Sequence, residues 1–144
     1  KSLLIKTTSI RFLTLNEIND LKKIDRILSF IVKRENEIEI ANSAKKTDKS
    51  LLINGRNFTN LGLFRQYAQV YLQTHEQINQ KMTVMCRQLS PTAQGIPLEI
   101  YAFSKDKIWV NYEHISSDIF DHLLAAIPYF HLECFELSTI LPKL

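Results

Sequence analysis

Two histidines and an aspartate in the second half of the chain have the residue types of a metal site. His114, Asp118 and His122 are spaced four residues apart, so they form one stripe on a helix predicted over about Asn111–Ile127. Imidazole and carboxylate groups are ligands for divalent metal ions. Because a helix rises about 1.5 Å per residue, however, the three side chains are spread over about 12 Å and do not reach one ion. We therefore interpret the stripe as a solvated helix face and predict no metal site.

Asp121 and His122 pair a carboxylate with an imidazole, as in the triad of a hydrolase. The nucleophile would have to be Ser116, Ser117 or a cysteine, and the sequence around the serines does not resemble a nucleophile elbow. A phosphate-binding loop is also missing, because the three glycines are dispersed along the chain: Gly55, Gly62 and Gly95. We therefore predict no catalytic residues, no cofactor and no enzymatic activity.

The elements that must position these residues follow a pattern typical of α+β proteins. The second half contains, in order, helix Thr59–His75, strand Met82–Ser90, turn Pro91–Gly95, strand Ile96–Ser104, helix Asn111–Ile127 and strand His131–Glu136. One strand before the first helix would complete a βαββαβ unit. We therefore predict a ferredoxin-like two-layer sandwich with a four-stranded antiparallel sheet in the order 4-1-3-2. Two apolar segments could supply the first strand: Ser2–Leu13 and the shorter Leu51–Ile53. We expect Leu51–Ile53 to be extended and paired in either case.

A long helix is predicted ahead of this unit, over Leu15–Asn42. Thr14 and Glu17 have the spacing of a capping box, and apolar residues recur every three or four positions after them. The apolar stripe is narrow and almost coiled-coil-like, so the helix must pack either on its own domain or on a neighbouring subunit. For the two later helices, Thr59 or Asn60 and Asn111 are suitable caps.

Composition indicates one globular domain of ordinary polarity. The chain has 144 residues, 45% of them hydrophobic, and a formal charge of +3 that is spread along the chain rather than clustered as a nucleic-acid footprint. No apolar run reaches the roughly 18 residues of a membrane helix, and no signal-peptide pattern is present. Because the chain begins at Lys1 and enters the apolar run Leu3–Ile5 almost at once, we expect a piece of a longer protein.

The two cysteines, Cys86 and Cys134, fall in the second and last predicted strands. In a sheet of order 4-1-3-2 those strands are opposite edges, whereas a disulfide needs Cα atoms closer than about 7 Å. We therefore expect two reduced thiols, as in a cytosolic protein.

Tyr101 and Phe103 share one face of a predicted strand, where RNA-binding domains of this fold class carry stacking aromatics. Glu99 lies on the same face and would repel phosphate, and the Gly–aromatic signature of those domains is missing from this strand. We therefore favour packing for the two aromatics and expect no nucleic-acid partner.

Three sequence segments resemble those of a known protein family. They are Asn54–Arg65 (NGRNFTNLGLFR), Arg87–Phe103 (RQLSPTAQGIPLEIYAF) and Ser117–Leu124 (SDIFDHLL). Together with Ser9–Leu13 they are similar to the carboxy-terminal cytoplasmic region of YbdG-type miniconductance mechanosensitive channels, which are members of the MscS family. The resemblance covers nearly the whole chain and is weakest over Asn19–Ser50.

The resemblance implies a homoheptamer with a membrane pore above a hollow cytoplasmic vestibule, whose last domain is ferredoxin-like. Residues 1–144 would be that domain, on the cytoplasmic side of the bacterial inner membrane, with membrane contact only through upstream segments. In such channels tension opens the pore, and ions and small solutes leave on hypoosmotic shock. The domain would shape the vestibule, filter solutes at its side openings and support subunit assembly.

On the alignment with this family, the first strand is Ser2–Thr8 and residues 14–49 form a helical insertion after it. We prefer this strand to Leu51–Ile53, because three residues are short for a central strand. The sequence does not choose which charged residues line a vestibule opening among Lys105, Asp106, Lys107 and Glu113. The alternative function is a ferredoxin-like regulatory module that binds a small ligand or RNA.

Overall fold

The computed structural model describes residues 1–137, which form a three-stranded antiparallel sheet packed against helices. The strands are β1 (Ser2–Ile5), β2 (Met85–Gln88) and β3 (Ile96–Tyr101), in the spatial order β1-β3-β2. The helices are α1 (Leu15–Leu21), α2 (Asp25–Ala44), α3 (Asn60–Gln73) and α4 (Trp109–Ala126), with 3-10 turns at Thr7–Ser9 and Ile127–Phe130. The α+β class is as predicted, and residues 138–144 of the predicted domain lie outside the described residues.

The predicted ferredoxin-like sheet of four strands in the order 4-1-3-2 is wrong, because the segment His131–Glu136 does not form a strand. Backbone hydrogen bonds of 2.8 and 2.9 Å and one isolated bridge, between Ile5 and Cys134, join this segment to the free edge of β1. His131 has a left-handed backbone with a φ of 56°, so the chain reaches this edge directly out of a turn. The contact is therefore too short to extend the ladder.

The first strand is where we preferred it, although it is shorter than predicted. Ser2 lies opposite Glu99 and Ile5 opposite Ile96, so β1 pairs antiparallel with β3 along its whole length. The strand ends at Ile5 because the chain then enters the first 3-10 turn. The expectation that Leu51–Ile53 is extended and paired is wrong, since this segment lies in a loop of turns and bends with its first and last side chains exposed.

The predicted hairpin of β2 and β3 is confirmed, with Met85 opposite Tyr101 and Gln88 opposite Leu98. Both strands are shorter than predicted. At the end of the connecting turn Gly95 has a φ of +96°, and a β-carbon there would lie 2.3 Å from the carbonyl oxygen of Ile5. Glycine is therefore required, both for the turn and for the close approach of β1.

The predicted single helix over Leu15–Asn42 is wrong, because the chain breaks between Leu21 and Asp25 into α1 and α2. The break lies at Ile24, whose backbone is extended with a ψ of 109°. It brings the buried side chains of both helices into one core, namely Ile18, Leu21, Ile27 and Ile31. Apolar spacing continues through the break without interruption, which is why the periodicity did not reveal it. Because α2 packs against α3, the insertion packs on its own domain, which was one of the two alternatives for the predicted helix.

Capping was predicted correctly at two of the three helices. The backbone N–H of Glu17 donates to Thr14 Oγ1 at 3.3 Å and the backbone N–H of Thr14 donates to Glu17 Oε1 at 2.9 Å, which confirms the capping box of α1. Thr59 Oγ1 accepts a hydrogen bond of 3.1 Å from the backbone N–H of Gly62 and caps α3.

Asn111 is not the cap of α4, because this helix begins two residues earlier, at Trp109. The Oδ1 atom of Asp106 accepts a hydrogen bond of 2.9 Å from the backbone N–H of Ile108, and its Oδ2 atom accepts one of 2.8 Å from the side chain of Asn111. The start of α4 is therefore held by a carboxylate placed ahead of the helix, where it also faces the positive end of the helix dipole.

One buried asparagine joins three parts of the chain. Asn60 Oδ1 accepts from the backbone N–H of Arg11 at 2.9 Å, and its Nδ2 donates to the carbonyls of Ser9 at 2.8 Å and His131 at 3.2 Å. Because this side chain is fully buried, these bonds replace the hydration that it loses on folding. The start of α3 is thereby tied to the segment after β1 and to the segment after α4.

Candidate functional site

His122 lies in a cluster of aromatic side chains between α3 and α4, rather than on the solvated face that we predicted. Its Nε2 atom is 2.6 Å from the hydroxyl of Tyr67, and its ring is parallel to that of Tyr71, with 4.0 Å between the ring centres. The guanidinium of Arg26 in α2 lies 5.4 Å from the ring centre of Tyr71, in a cation–π contact. Three helices therefore meet at this cluster.

The electrostatics of the cluster keep its ring groups uncharged. Burial lowers the pKa of His122, and the positive charges of Arg26 and His75 lower it further. Burial also raises the pKa of Tyr67 and of Tyr71. At neutral pH the imidazole is then unprotonated and the hydroxyl of Tyr67 can donate to it. Neither group is an activated nucleophile, so the cluster is suited to joining the helices.

The other residues of the predicted stripe do not join His122. His114, Asp118 and Asp121 are exposed on α4, and Asp118 reaches the cluster only through its charge, which helps to raise the pKa of Tyr71. Within residues 1–137, no three His, Cys, Asp or Glu side chains are close enough to hold a metal ion. The imagined triad is not assembled, because the described hydrogen bond of His122 goes to Tyr67 rather than to a serine.

The sequence contains a signal for this cluster in the spacing of its rings. Tyr67 and Tyr71 of α3 and His75, just beyond its end, are spaced four residues apart, as the residues of the predicted stripe are on α4. Two facing helices with such stripes can stack their rings. The position of Arg26 had no comparable signal, because it depends on the break that separates α1 from α2.

The two cysteines lie at opposite edges of the sheet, as predicted, but the prediction that Cys134 is in a strand is wrong. Cys86 is on β2, Cys134 lies beside β1, and β3 and β1 stand between them, so both are free thiols. Burial raises the pKa of Cys86 to about 12 and also raises that of Cys134. Since the thiolate is the reactive form, neither side chain has the environment of a catalytic cysteine.

Tyr101 and Phe103 contact each other edge-on, with 5.3 Å between their ring centres. Glu99 on the same strand pairs with Arg87 of β2 at 3.0 Å. The edge of one of these two rings therefore points toward the other ring, and the charge of Arg87 is paired with the carboxylate of Glu99.

A patch of three consecutive apolar residues stands exposed at the start of α4. Ile108, Trp109 and Val110 expose 65%, 74% and 58% of their surface. Single exposed apolar side chains are common, whereas three in a row that include tryptophan form a candidate contact surface for another molecule. We call these three residues the α4 apolar patch.

The charged residues considered for a vestibule opening lie around this patch. Asp106 is engaged at the start of α4, and Glu113 lies 3.9 Å from Lys1. Lys105 and Lys107 are exposed in the loop before the helix. The apolar patch is therefore flanked by positive charge on its amino-terminal side.

A scan against protein-family models finds no match, and no solved structure matches the chain. Among residues 1–137, no helix has the length and apolar character needed to cross a membrane. Any functional conclusion therefore rests on the residues of this chain and on the surfaces they form.

Proposed function

We propose that this chain is a cytoplasmic domain of a mechanosensitive channel of the miniconductance type. The observation that carries the proposal is the string Arg87–Phe103, which resembles those channels over 17 consecutive residues. In this chain the string contains the last two residues of β2, the turn at Gly95 and the whole of β3, which is the central strand of the sheet. The domain would help to build the vestibule wall below a pore that upstream segments form in the bacterial inner membrane.

Two further features support the proposal. The string Asn54–Arg65 includes Asn60, whose side chain ties together both ends of the domain, so it is a determinant of the fold and not an arbitrary surface loop. The α4 apolar patch gives the domain a surface suited to contact between subunits, as a homo-oligomeric vestibule requires. Ions and small solutes would pass the assembled wall, and no residue would be catalytic.

Expression of the complete gene product in a bacterial strain without its own mechanosensitive channels tests the proposal. We expect tension-activated current in membrane patches and improved survival of a downshock. Deletion of residues 1–144 should alter conductance, gating or assembly. A complete gene product without tension-activated current would overturn the channel assignment. Unchanged conductance, gating and assembly after the deletion would remove the role that we assign to this domain.

A matched pair of variants tests the subunit contact. Trp109→Ser removes the centre of the α4 apolar patch, whereas Tyr129→Ser removes an aromatic side chain of similar exposure, 72%, outside that patch. We expect only the first variant to lower the mass of the detergent-solubilised complex in light scattering. Equal masses for both variants and the parent would show that the subunits do not meet at this patch.

A further inference from the structure

A cavity of about 400 Å³ opens between α2, α3 and the loop that precedes α3. Part of its wall is apolar and aromatic, from Phe12, Phe30 and Phe58. Three arginines also line it, one from each of the surrounding segments: Arg34 from α2, Arg56 from the loop and Arg65 from α3. We call this space the arginine cavity. Its volume lies within the range of about 300–1,000 Å³ that is usual for small-molecule sites.

The positive charge of this cavity is only partly balanced within the described residues. Arg34 is paired with Glu37 at 3.1 Å, but over residues 1–137 no carboxylate lies within 4.0 Å of Arg56 or Arg65. No Asp or Glu of those residues lines the cavity. Guanidinium groups bind carboxylate and phosphate through paired, charge-assisted hydrogen bonds, so this wall is chemically matched to an anion.

The loop that carries Arg56 is held in place by hydrogen bonds within the protein. Asn42 of α2 accepts at Oδ1 from the backbone N–H of Arg56 at 2.8 Å and donates from Nδ2 to its carbonyl at 2.9 Å. The preceding Gly55 has a φ of +68°, and a β-carbon there would lie 2.2 Å from Asn42 Oδ1. The loop therefore adopts this path only with glycine next to Asn42, and a ligand would find its backbone already ordered.

From this arrangement we propose that the arginine cavity binds a small organic anion, with one carboxylate or phosphate group and an apolar body. The anionic group would lie between Arg56 and Arg65, and the apolar body would pack against Phe12 and Phe30. Both halves of the wall are needed for this class of ligand. An inorganic anion would leave the aromatic wall uncovered, and a neutral aromatic compound would leave the guanidinium groups unpaired. The site does not depend on the channel assignment.

Titration of the isotope-labelled chain, followed by amide chemical shifts, tests the ligand class. The probes are phenyl phosphate, benzoate, inorganic phosphate and the neutral benzyl alcohol. We expect saturable shifts at Arg56, Gly62 and Leu63 with phenyl phosphate or benzoate, and the tighter of these two identifies the anionic group. Inorganic phosphate and benzyl alcohol should each bind at least about tenfold more weakly, because each forms only part of the contacts. Absence of saturable shifts with both aromatic anions, or equal binding of benzyl alcohol, would overturn the proposal.

Charge-matched variants test the location. Arg56→Gln and Arg65→Gln should each weaken binding of the better probe by about tenfold or more, since each removes a charged hydrogen-bond donor. Lys107→Gln removes the same charge from an exposed site outside the cavity and should leave the affinity unchanged. Equal weakening in all three variants would show a general effect of net charge and would overturn the site. Should Arg65→Gln lose its folded amide spectrum, Arg56→Gln in the loop decides the question.

Discussion

Two regions of this protein are held together in different ways. The sheet region, residues 1–13 and 58–137, buries apolar side chains from every helix and strand around Phe64 and Phe130. The insertion region, residues 14–57, buries apolar side chains only near its start. Beyond Ile31 the buried side chain of α2 is the polar Asn42, whereas Val32 and Ile40 are exposed. The sheet region is thus organised by its core, whereas beyond Ile31 the partly buried Ile38 packs against that core and Asn42 holds the following loop by hydrogen bonds.

An asparagine has the decisive position in each region, and the comparison shows how the sequence separation of its partners changes its effect. Asn60 is fully buried and joins segments that are distant in sequence. Asn42 is also buried, with 9% of its surface exposed, but it joins α2 to a loop only 14 residues away. Loss of the first contact therefore affects the whole fold, whereas loss of the second affects the insertion and the arginine cavity beside it. The following changes test this difference, from the largest expected effect to the smallest.

The largest effect is expected in the core of the sheet region. Phe64→Ala should lower the free energy of unfolding by about 3–5 kcal/mol, because it removes a fully buried ring and leaves a cavity. Leu28→Ala on the exposed side of α2 should change it by no more than about 0.5 kcal/mol. Urea unfolding followed by circular dichroism measures both. Similar losses of unfolding free energy for the two variants would show that side chains of the insertion stabilise the fold as much as those of the sheet region.

Asn60→Ala should destabilise the protein by about 2–4 kcal/mol, because it leaves the backbone groups of Ser9, Arg11 and His131 without their partner. Asn36→Ala, at an exposed position of α2, is the control and should be nearly neutral. Asn60→Asp should be at least as destabilising near pH 7, since it places a carboxylate against the carbonyl oxygens of Ser9 and His131 at a fully buried position. Thermal unfolding of the three variants gives the order, and a neutral Asn60→Ala would contradict the role of this tie.

Asn42→Ala should cost less, about 1–2 kcal/mol, and its effect should be local. We expect faster hydrogen exchange of the Arg56 amide, which loses its acceptor, and unchanged exchange of the Leu98 amide in the central strand. Asn42→Asp keeps the acceptor and should protect the Arg56 amide at neutral pH. Exchange that quickens equally at both amides would show that the two regions open as one unit.

The smallest effect is expected for the ion pair between Arg11 and Glu17, which joins the two regions at the surface. The hydrogen bonds from Arg11, and then that from the backbone of Thr14, lower the pKa of Glu17 to about 2. A carboxylate with a lowered folded-state pKa stabilises the fold above its ordinary pKa of about 4.5, and this stabilisation is lost as the pH falls from there toward 2. Surface pairs contribute no more than about 1 kcal/mol.

Glu17→Gln keeps an oxygen for the capping box but removes the charge. We expect the parent to be the more stable at pH 7 and the difference to shrink as the pH falls from 4.5 toward 2. Urea midpoints of the two proteins at several pH values measure this difference. A difference that is independent of pH would show that the pair with Arg11 does not stabilise the fold. Glu76→Gln, at another exposed position, controls for the change in net charge.

Local chemistry in the sequence determined the local structure. Thr14 with Glu17 and Thr59 with Gly62 form caps because the hydrogen bonds that define them span only three residues. The hairpin of β2 and β3 follows from two apolar runs and a turn that needs Gly95. The helical character of residues 15–44 follows from apolar spacing, and the first strand from its β-branched and apolar residues.

Only the tertiary structure decided which distant segments meet. The sequence could not show that the segment after α4 makes one bridge to β1 and not a fourth strand, because pairing depends on how the chain leaves the left-handed turn at His131. It could not show the break at Ile24, because the apolar spacing continues through it. It placed His122 in a solvent-exposed stripe, but the rings of α3 lie opposite and partly cover it. Contacts between elements depend on their relative orientation, and residue spacing within one element does not contain that orientation.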